Sequence, residues 1–461
     1  MSANNDGAIF PAADVAVVMV PLVAEGHLTQ LLHLSTIISS YNLPIHFITT
    51  TTSLHQLQSR HRTTTVNIHF HHFPVPPFIS PPPQPSTPFP THLQPYINST
   101  LHLRHPTATL IRSLSEKHRR VVVIHDVLMS YVVQDVVSIA NAETYLFQPL
   151  SAFNSASSLW EKTGGSFPED FELMNMIPSK DGIASPEFLE FVELQKPCMG
   201  FYVGELYDSC RVVEGKFIEY LEKVGQKKIW AVGPFNPVRI ASDSTDLNNR
   251  HKCLQWLDEQ PKNSVVYVSF GTTTTFNDEQ IRELALGLER SGERFIWVVR
   301  AADVGDSCGF EGRKVELPDG FEERVKGRGL VERGWAPQLQ ILEHFATGAF
   351  LSHCGWNSSM ESISMGVPMA TWPMHSDQPR NAFLITNILR IGVAVRSWER
   401  RDELVTADVV AEAVKTLMDS EKGEETRRRV MKLSGEVRES MAEGGISRME
   451  MDSFISYARR L

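Results

Sequence analysis

The chain has 461 residues, of which 42% are hydrophobic and 21% charged, and a formal net charge of −10. That length is too great for one core and predicts two domains, while the ordinary apolar content excludes a disordered chain. The acidic balance excludes nucleic acid as a partner; the one basic run, Arg427-Arg428-Arg429, reads as a solvated helix face.

The amino terminus, MSANNDGAIFPAAD, carries no Lys or Arg ahead of an apolar core, and the run from Val15 to Val23 is interrupted by Pro21. It is read as neither signal peptide nor membrane span, and nowhere does the chain reach the roughly 18 uninterrupted apolar residues a span needs. The five cysteines, Cys198, Cys210, Cys253, Cys308 and Cys354, are odd in number and form no CxxC pair. They indicate neither a disulfide framework nor a zinc site, and they fit a reducing, cytoplasmic location.

In chain order, Val15–Val20 reads as a buried strand, followed by a turn and a helix whose apolar face is Leu28, Leu31, Leu32, Leu34, Ile37 and Ile38. Further strands are expected at Ile45–Thr49, Val66–Phe70 and Val121–Ile124. His69 and His71 would share one face of their strand, but with no carboxylate or further His close by they are read as structural. Pro74 to Pro90 is too rich in proline for a regular element and is expected to be a surface loop near a ligand cleft. The polar stretch from 236 to about 250 reads as a linker. Beyond it come strands at Ser264–Phe270, Phe295–Val299, Gly348–Leu351 and Pro368–Trp372, a helix from about Asp278, and a helical end from Thr426 to Leu461. Strand–helix alternation in both halves predicts an α/β chain of two doubly wound, Rossmann-like domains with a cleft at the carboxyl ends of their strands.

The unusual residues fall at those strand ends. Ser352-His353-Cys354-Gly355-Trp356-Asn357-Ser358 precedes a helix and suits a diphosphate: Asn357, Ser358 and the free N–H groups of the helix start form an anion site to which His353 can donate. Phe270-Gly271-Thr272-Thr273-Thr274-Thr275 ends another strand with a close-approach glycine and several hydroxyls, in itself a weak phosphate signal. Neither GxGxxG, GxxxxGK[ST] nor GxSxG occurs, which counts against nicotinamide enzymes, P-loop NTPases and the usual hydrolases. In the first half, His27 opens a helix after one strand and Asp126 ends another, so the carboxylate could orient the imidazole as a general base.

Trp335-Ala336-Pro337-Gln338, His353 to Ser358, Glu361, Gly366-Val367-Pro368, Trp372-Pro373 and Asp377-Gln378 resemble the signature of the plant secondary-product UDP-glycosyltransferase family. The likeness covers essentially the whole chain and is nearest to the zeatin O-glucosyltransferase-like members, on Val122–Asp126, Met374–Asn381 and Gly444–Met451. The resemblance implies a GT-B fold, with an acceptor domain over 1–235, a linker over 236–250, a donor domain over 251–439 and a terminal helix, 440–461, packing back on the first domain. Trp335 would stack on uracil, with Ala336 and Gln338 beside the base. Glu361 would accept from the ribose hydroxyls. His353, Asn357, Ser358 and Thr272 would hold the diphosphate. Asp377 and Gln378 would bind the sugar, in a pocket shaped by Trp356 and Trp372. His27 and Asp126 would be the catalytic pair.

The implied reaction is inverting transfer from UDP-glucose to a hydroxyl of a small plant metabolite: a cytokinin such as zeatin, a phenolic, a flavonoid or a terpenoid. UDP-xylose as donor and a non-catalytic UDP-sugar-binding protein are the alternatives. No metal and no permanently bound cofactor are expected, and the protein is expected to act as a monomer. Glu25 stands where the family more often has Gln, and its charge is expected to raise the His27 pKa.

Overall fold

The computed structural model describes residues 14–54, 67–86, 88–169, 171–238, 250–299 and 315–460. Continuous runs of Val, Ile, Leu and Phe make strands buried on both faces, as wholly parallel sheets require. The first seven are β1 (Val15–Val20), β2 (Ile45–Thr50), β3 (Ile68–Phe73), β4 (Arg120–Asp126), β5 (Ala142–Gln148), β6 (Tyr202–Tyr207) and β7 (Lys228–Ala231). They pair in the order β3-β2-β1-β4-β5-β6-β7. The second sheet holds β8 (Val265–Ser269), β9 (Arg294–Val298), β10 (Gly329–Glu332), β11 (Thr347–Ser352), β12 (Met369–Thr371) and β13 (Gly392–Ala394), in the order β10-β9-β8-β11-β12-β13. Every pairing is parallel.

The helices that matter for the site are α1 (Glu25–Ser39), α2 (Ala152–Thr163), α3 (Asp278–Ser291), α4 (Trp356–Met365) and α5 (Gln378–Phe383). Two more, α6 (Glu421–Met441) and α7 (Ile446–Ala458), follow. One buried cluster joins α2 residues Ala152, Phe153 and Ala156 to Tyr267 and Phe350 of the second sheet and Trp356 of α4, so a continuous apolar layer runs between the two halves.

Several expectations need amending. The third strand runs to Phe73, and its expected start, Val66, lies outside the described residues. So do linker residues 239–249 and Cys308. A further histidine does approach His71: His46 of β2 lies 2.9 Å away, Nδ1 to Nε2, and its ring stacks on both His69 and His71. The reasoning along one strand missed it because the neighbour comes across the ladder. Burial, followed by the neighbouring imidazoles, pulls His46 down to about 4, so it is a neutral, packed ring at neutral pH. The helical end is broken at Ala442–Gly445, where a Cβ on Gly445 would meet the Glu439 carbonyl at 2.3 Å. α7 then lies on the first sheet, with Met451, Phe454, Ile455 and Ala458 buried beside Trp230 and Tyr145. Between α2 and β6 the chain forms the helix Pro186–Gln195 and buries Phe167 against Phe153 and Phe217.

Candidate active site

β1 and β4 are neighbours in register, Val20 opposite His125, so the chain beyond each strand emerges at the same edge. After β1 the turn at Pro21–Ala24 leads into α1, which puts His27 in the first helical turn. Asp126 closes β4. His27 Nδ1 lies 2.7 Å from Asp126 Oδ2, and Asp126 Oδ1 accepts from the Leu128 N–H at 2.9 Å, so the buried carboxylate is fixed at both oxygens. Burial alone would lower the His27 pKa. The charge and hydrogen bond of Asp126, with a smaller contribution from Asp377, outweigh it and leave the imidazole raised above 6.5. The second carboxylate acting on His27 is Asp377 of the other half, and Glu25 Oε1 accepts from Thr29 along α1 at 3.3 Å.

Opposite lies the second sheet. β8 and β11 are in register at Ser269 and Ser352, which sets the Gly271–Thr275 turn beside the His353–Gly355 turn. Gly271 has φ +73°, and a Cβ there, or on Gly355, would come within 2.6 Å of His353 Nε2. The imidazole is thus held between two bare backbones. Burial pulls His353 down to about 4, so at neutral pH it is an uncharged ring that donates through one nitrogen. A hydrogen bond to the Ser269 backbone opposes that shift, while the hydroxyls of Thr274 and Thr275 are buried without a protein partner. Thr272 is half-buried on the same turn. α4 begins at Trp356 with no acidic residue in its first turn and no side-chain cap, leaving its first N–H groups for an anion.

Asn357 reaches across instead of toward that turn: its Nδ2 donates to the Gly26 carbonyl at 2.8 Å, one residue from His27. Gln338 Nε2 donates to Ser358 Oγ at 2.9 Å and to Glu361 Oε2 at 2.7 Å, binding these three expected donor residues together. Burial pushes Glu361 up to about 7, against the Gln338 hydrogen bond. Trp335 is 61% exposed, a bare aromatic platform whose carbonyl lies 3.1 Å from His251 Nε2, and Ala336 packs on the core beside it.

Trp356 and Trp372 lie in the core rather than on the cleft surface. Trp356 Nε1 donates to the Asp208 carbonyl of the first half at 2.7 Å, and Trp372 packs among Phe270 and Phe276. They can shape a pocket only from behind. Gln378 is also occupied: its Oε1 accepts from the N–H groups of Met374 and His375 at 2.9 and 3.1 Å. Asp377 is raised by burial, opposed by a hydrogen bond from Asn381 and by His27.

Two residues had no role in the sequence reading. His375 lies 3.1 Å from Thr273 Oγ1 through Nε2, and the Phe89 ring of the proline-rich loop stacks on it at 3.8 Å, nearly parallel. No local pattern marks a contact between residues 89 and 375; only the fold brings them together. Among the described residues one group could hold a metal: His251, Cys253 and Glu332, with ligand atoms within 4.8 Å of one another. There the Lys252 ammonium lies on Glu332 at 3.0 Å and supplies the positive charge.

Comparison with known proteins agrees with this architecture. Residues 13–237 match the glycosyltransferase N-terminal domain family, and residues 234–439 the UDP-glucuronosyl and UDP-glucosyl transferase family. The chain is 49% identical to a zeatin O-glucosyltransferase of Phaseolus lunatus over 99% of both chains. It is also 49% identical to a zeatin O-xylosyltransferase of Phaseolus vulgaris, over 97% of this chain and 98% of the relative. Among solved structures, Phytolacca americana UGT2 in complex with UDP-2-fluoro-glucose and pterostilbene superposes with a TM-score of 0.75 at 27% identity, covering 96% of this chain and 99% of that one.

Proposed function

The chain belongs to the UDP-glucuronosyl and UDP-glucosyl transferase family, and from that premise we propose that it is a glucosyltransferase acting on the side-chain hydroxyl of a zeatin-type cytokinin. UDP-sugar-dependent O-glycosyl transfer to a small plant metabolite is common to both bean relatives; they name one acceptor and two sugars at equal identity. The acceptor therefore has support from both, while the sugar rests on Gln378, the last residue of the signature that begins at Trp335, which by the family resemblance favours glucose.

The observation that carries the mechanism is the 2.8 Å bond from Asn357 to the Gly26 carbonyl, which puts the base-bearing turn and the anion-binding turn side by side. In this reading Asp126 holds His27 Nδ1, and Nε2 takes the proton of the acceptor hydroxyl as its oxygen attacks the anomeric carbon. The C–O bond to UDP breaks on the opposite face, and configuration inverts. Negative charge grows on the β-phosphate, and in this reading the His353 ring, the Thr274 and Thr275 hydroxyls and the start of α4 receive it. Trp335 takes the uracil and Glu361 the ribose, Gln338 giving up its bond to that carboxylate. Thr272 and Ser358 complete the diphosphate site, with Asn357, its amide on Gly26, holding the turn beside them, and Asp377 takes the sugar hydroxyls together with the Gln378 N–H left over from its contact with His375. Acceptor binding on 1–235, donor binding on 251–439, a monomeric state and a cytoplasmic location are parts of the same proposal. The last is supported by free thiols at Cys198, Cys210, Cys253 and Cys354.

The test is incubation with UDP-glucose or UDP-xylose and a panel of zeatins, flavonoids and terpenoid alcohols, read by mass spectrometry. A hexose added to zeatin, with β configuration from the α-linked donor, supports the proposal. A pentose product moves the sugar assignment to xylose, and an α-linked product overturns the inverting mechanism.

A further inference from the structure

Asp377 does not stand alone in the cleft. Its Oδ2 accepts from Asn381 Nδ2 at 2.7 Å, one turn along α5. The same Nδ2 donates to the Cys354 carbonyl at 3.0 Å, in the turn that carries His353. The remaining atom, Asn381 Oδ1, accepts from Ser151 Oγ at 2.8 Å, just before α2 and so on the other half of the molecule. Ser151 and Asn381 are wholly buried. One amide has two N–H donors and one carbonyl, and here all are in use, each on a different segment. A fully satisfied buried network of this kind holds its members in one arrangement. A second contact joins the same parts: Ser376, at φ +59°, donates its N–H to the Ile183 carbonyl at 2.8 Å.

We infer that Asn381 is a positioning residue for the sugar end of the donor, and that Ser151 sets it from the other half of the molecule. Asn381 occupies one oxygen of Asp377 and fixes the rotamer, so the other oxygen is presented to the sugar hydroxyls in one direction. A carboxylate held in place loses less freedom on binding than a free one. This rests on the reading of Asp377 as a sugar ligand. The grip on the sugar, as distinct from the nucleotide, then depends on a residue outside the donor-binding half.

The experiment measures affinity for UDP and for UDP-glucose in full-length Asn381→Ala, Ser151→Ala, Ser151→Thr and Asp377→Asn proteins by calorimetry. UDP has no sugar and should bind the Ser151 and Asp377 variants as it binds the wild type; in Asn381→Ala, which also releases the Cys354 carbonyl beside His353, it should weaken less than UDP-glucose does. UDP-glucose should weaken about tenfold in Asn381→Ala, the loss of one hydrogen bond to a charged group. It should weaken less in Ser151→Ala and recover in Ser151→Thr, which keeps the hydroxyl. Equal weakening of both ligands, or of neither, overturns the inference by making Asn381 structural only. Should Asn381→Ala fail to fold, the Ser151 pair decides alone. If Asp377→Asn binds UDP-glucose normally, the reading of Asp377 fails. If it binds weakly while Asn381→Ala binds normally, only the present inference fails.

Discussion

His27 and Asp126 are 99 residues apart in sequence, yet each is readable because His27 opens the helix that follows one strand and Asp126 ends the neighbouring strand of the same parallel sheet. His27, as the proposed general base, acts when neutral, so turnover should fall as pH drops through its pKa, which stands above 6.5 because of Asp126 and Asp377. Replacing Asp126 with Asn removes the larger of the two raising charges. The acid limb of kcat/KM for the acceptor, measured at saturating donor, should then move to lower pH as the plateau drops. His27→Ala should lose about 10²–10⁴ in rate, the usual worth of general base action. An acid limb unmoved in Asp126→Asn would mean that another group titrates there. Sequence proximity pointed to Glu25, whose carboxylate leans on Thr29, and could not point to Asp377, which arrives from the other half.

At the scale of elements, the pair of turns around His353 makes a separable prediction. Gly355 has φ −56°, which any residue adopts, so Gly355→Ala should fail only by pushing the His353 ring aside. Gly271 sits at φ +73°, so Gly271→Ala adds backbone strain of roughly 1–2 kcal/mol to the same clash. Both should weaken UDP binding by calorimetry, and only Gly271→Ala should also lower the melting temperature. Undiminished UDP affinity in Gly355→Ala would remove His353 from the phosphate site. These turns were legible because each is one continuous stretch after an apolar strand, where residue type and local geometry coincide. The stacking of His46 between His69 and His71, and of Phe89 on His375, was not. Those contacts depend on which strands become neighbours and on where an irregular loop lies, and neither leaves a period in the sequence. Gln378 was legible as a residue of the signature, but not as one whose carbonyl is spent on its own loop.

At the scale of the whole molecule, the two-sheet plan followed from strand–helix alternation, while the order of strands and the route of the chain's end needed the structure. Phe454 of α7 is 1% exposed, with Tyr145 and Trp230 each 5.3 Å from its ring. Phe454→Ala should cost about 3–5 kcal/mol in urea denaturation, the range for truncating a buried aromatic. A loss under about 1 kcal/mol would mean that α7 lies on the first sheet without holding it.

That return of α7 also has a mechanical meaning. The chain joins the two sheets once between β7 and β8 and again at Ala442–Gly445, between α6 and α7. A plate on one pin can swivel in any direction, whereas a plate on two pins can only swing about the line that joins them. Double attachment leaves the halves fewer ways to shift against each other than a single tie would. That keeps His27 on one side of whatever lies against the His353 turn, and a reaction with a single stereochemical outcome needs that constancy.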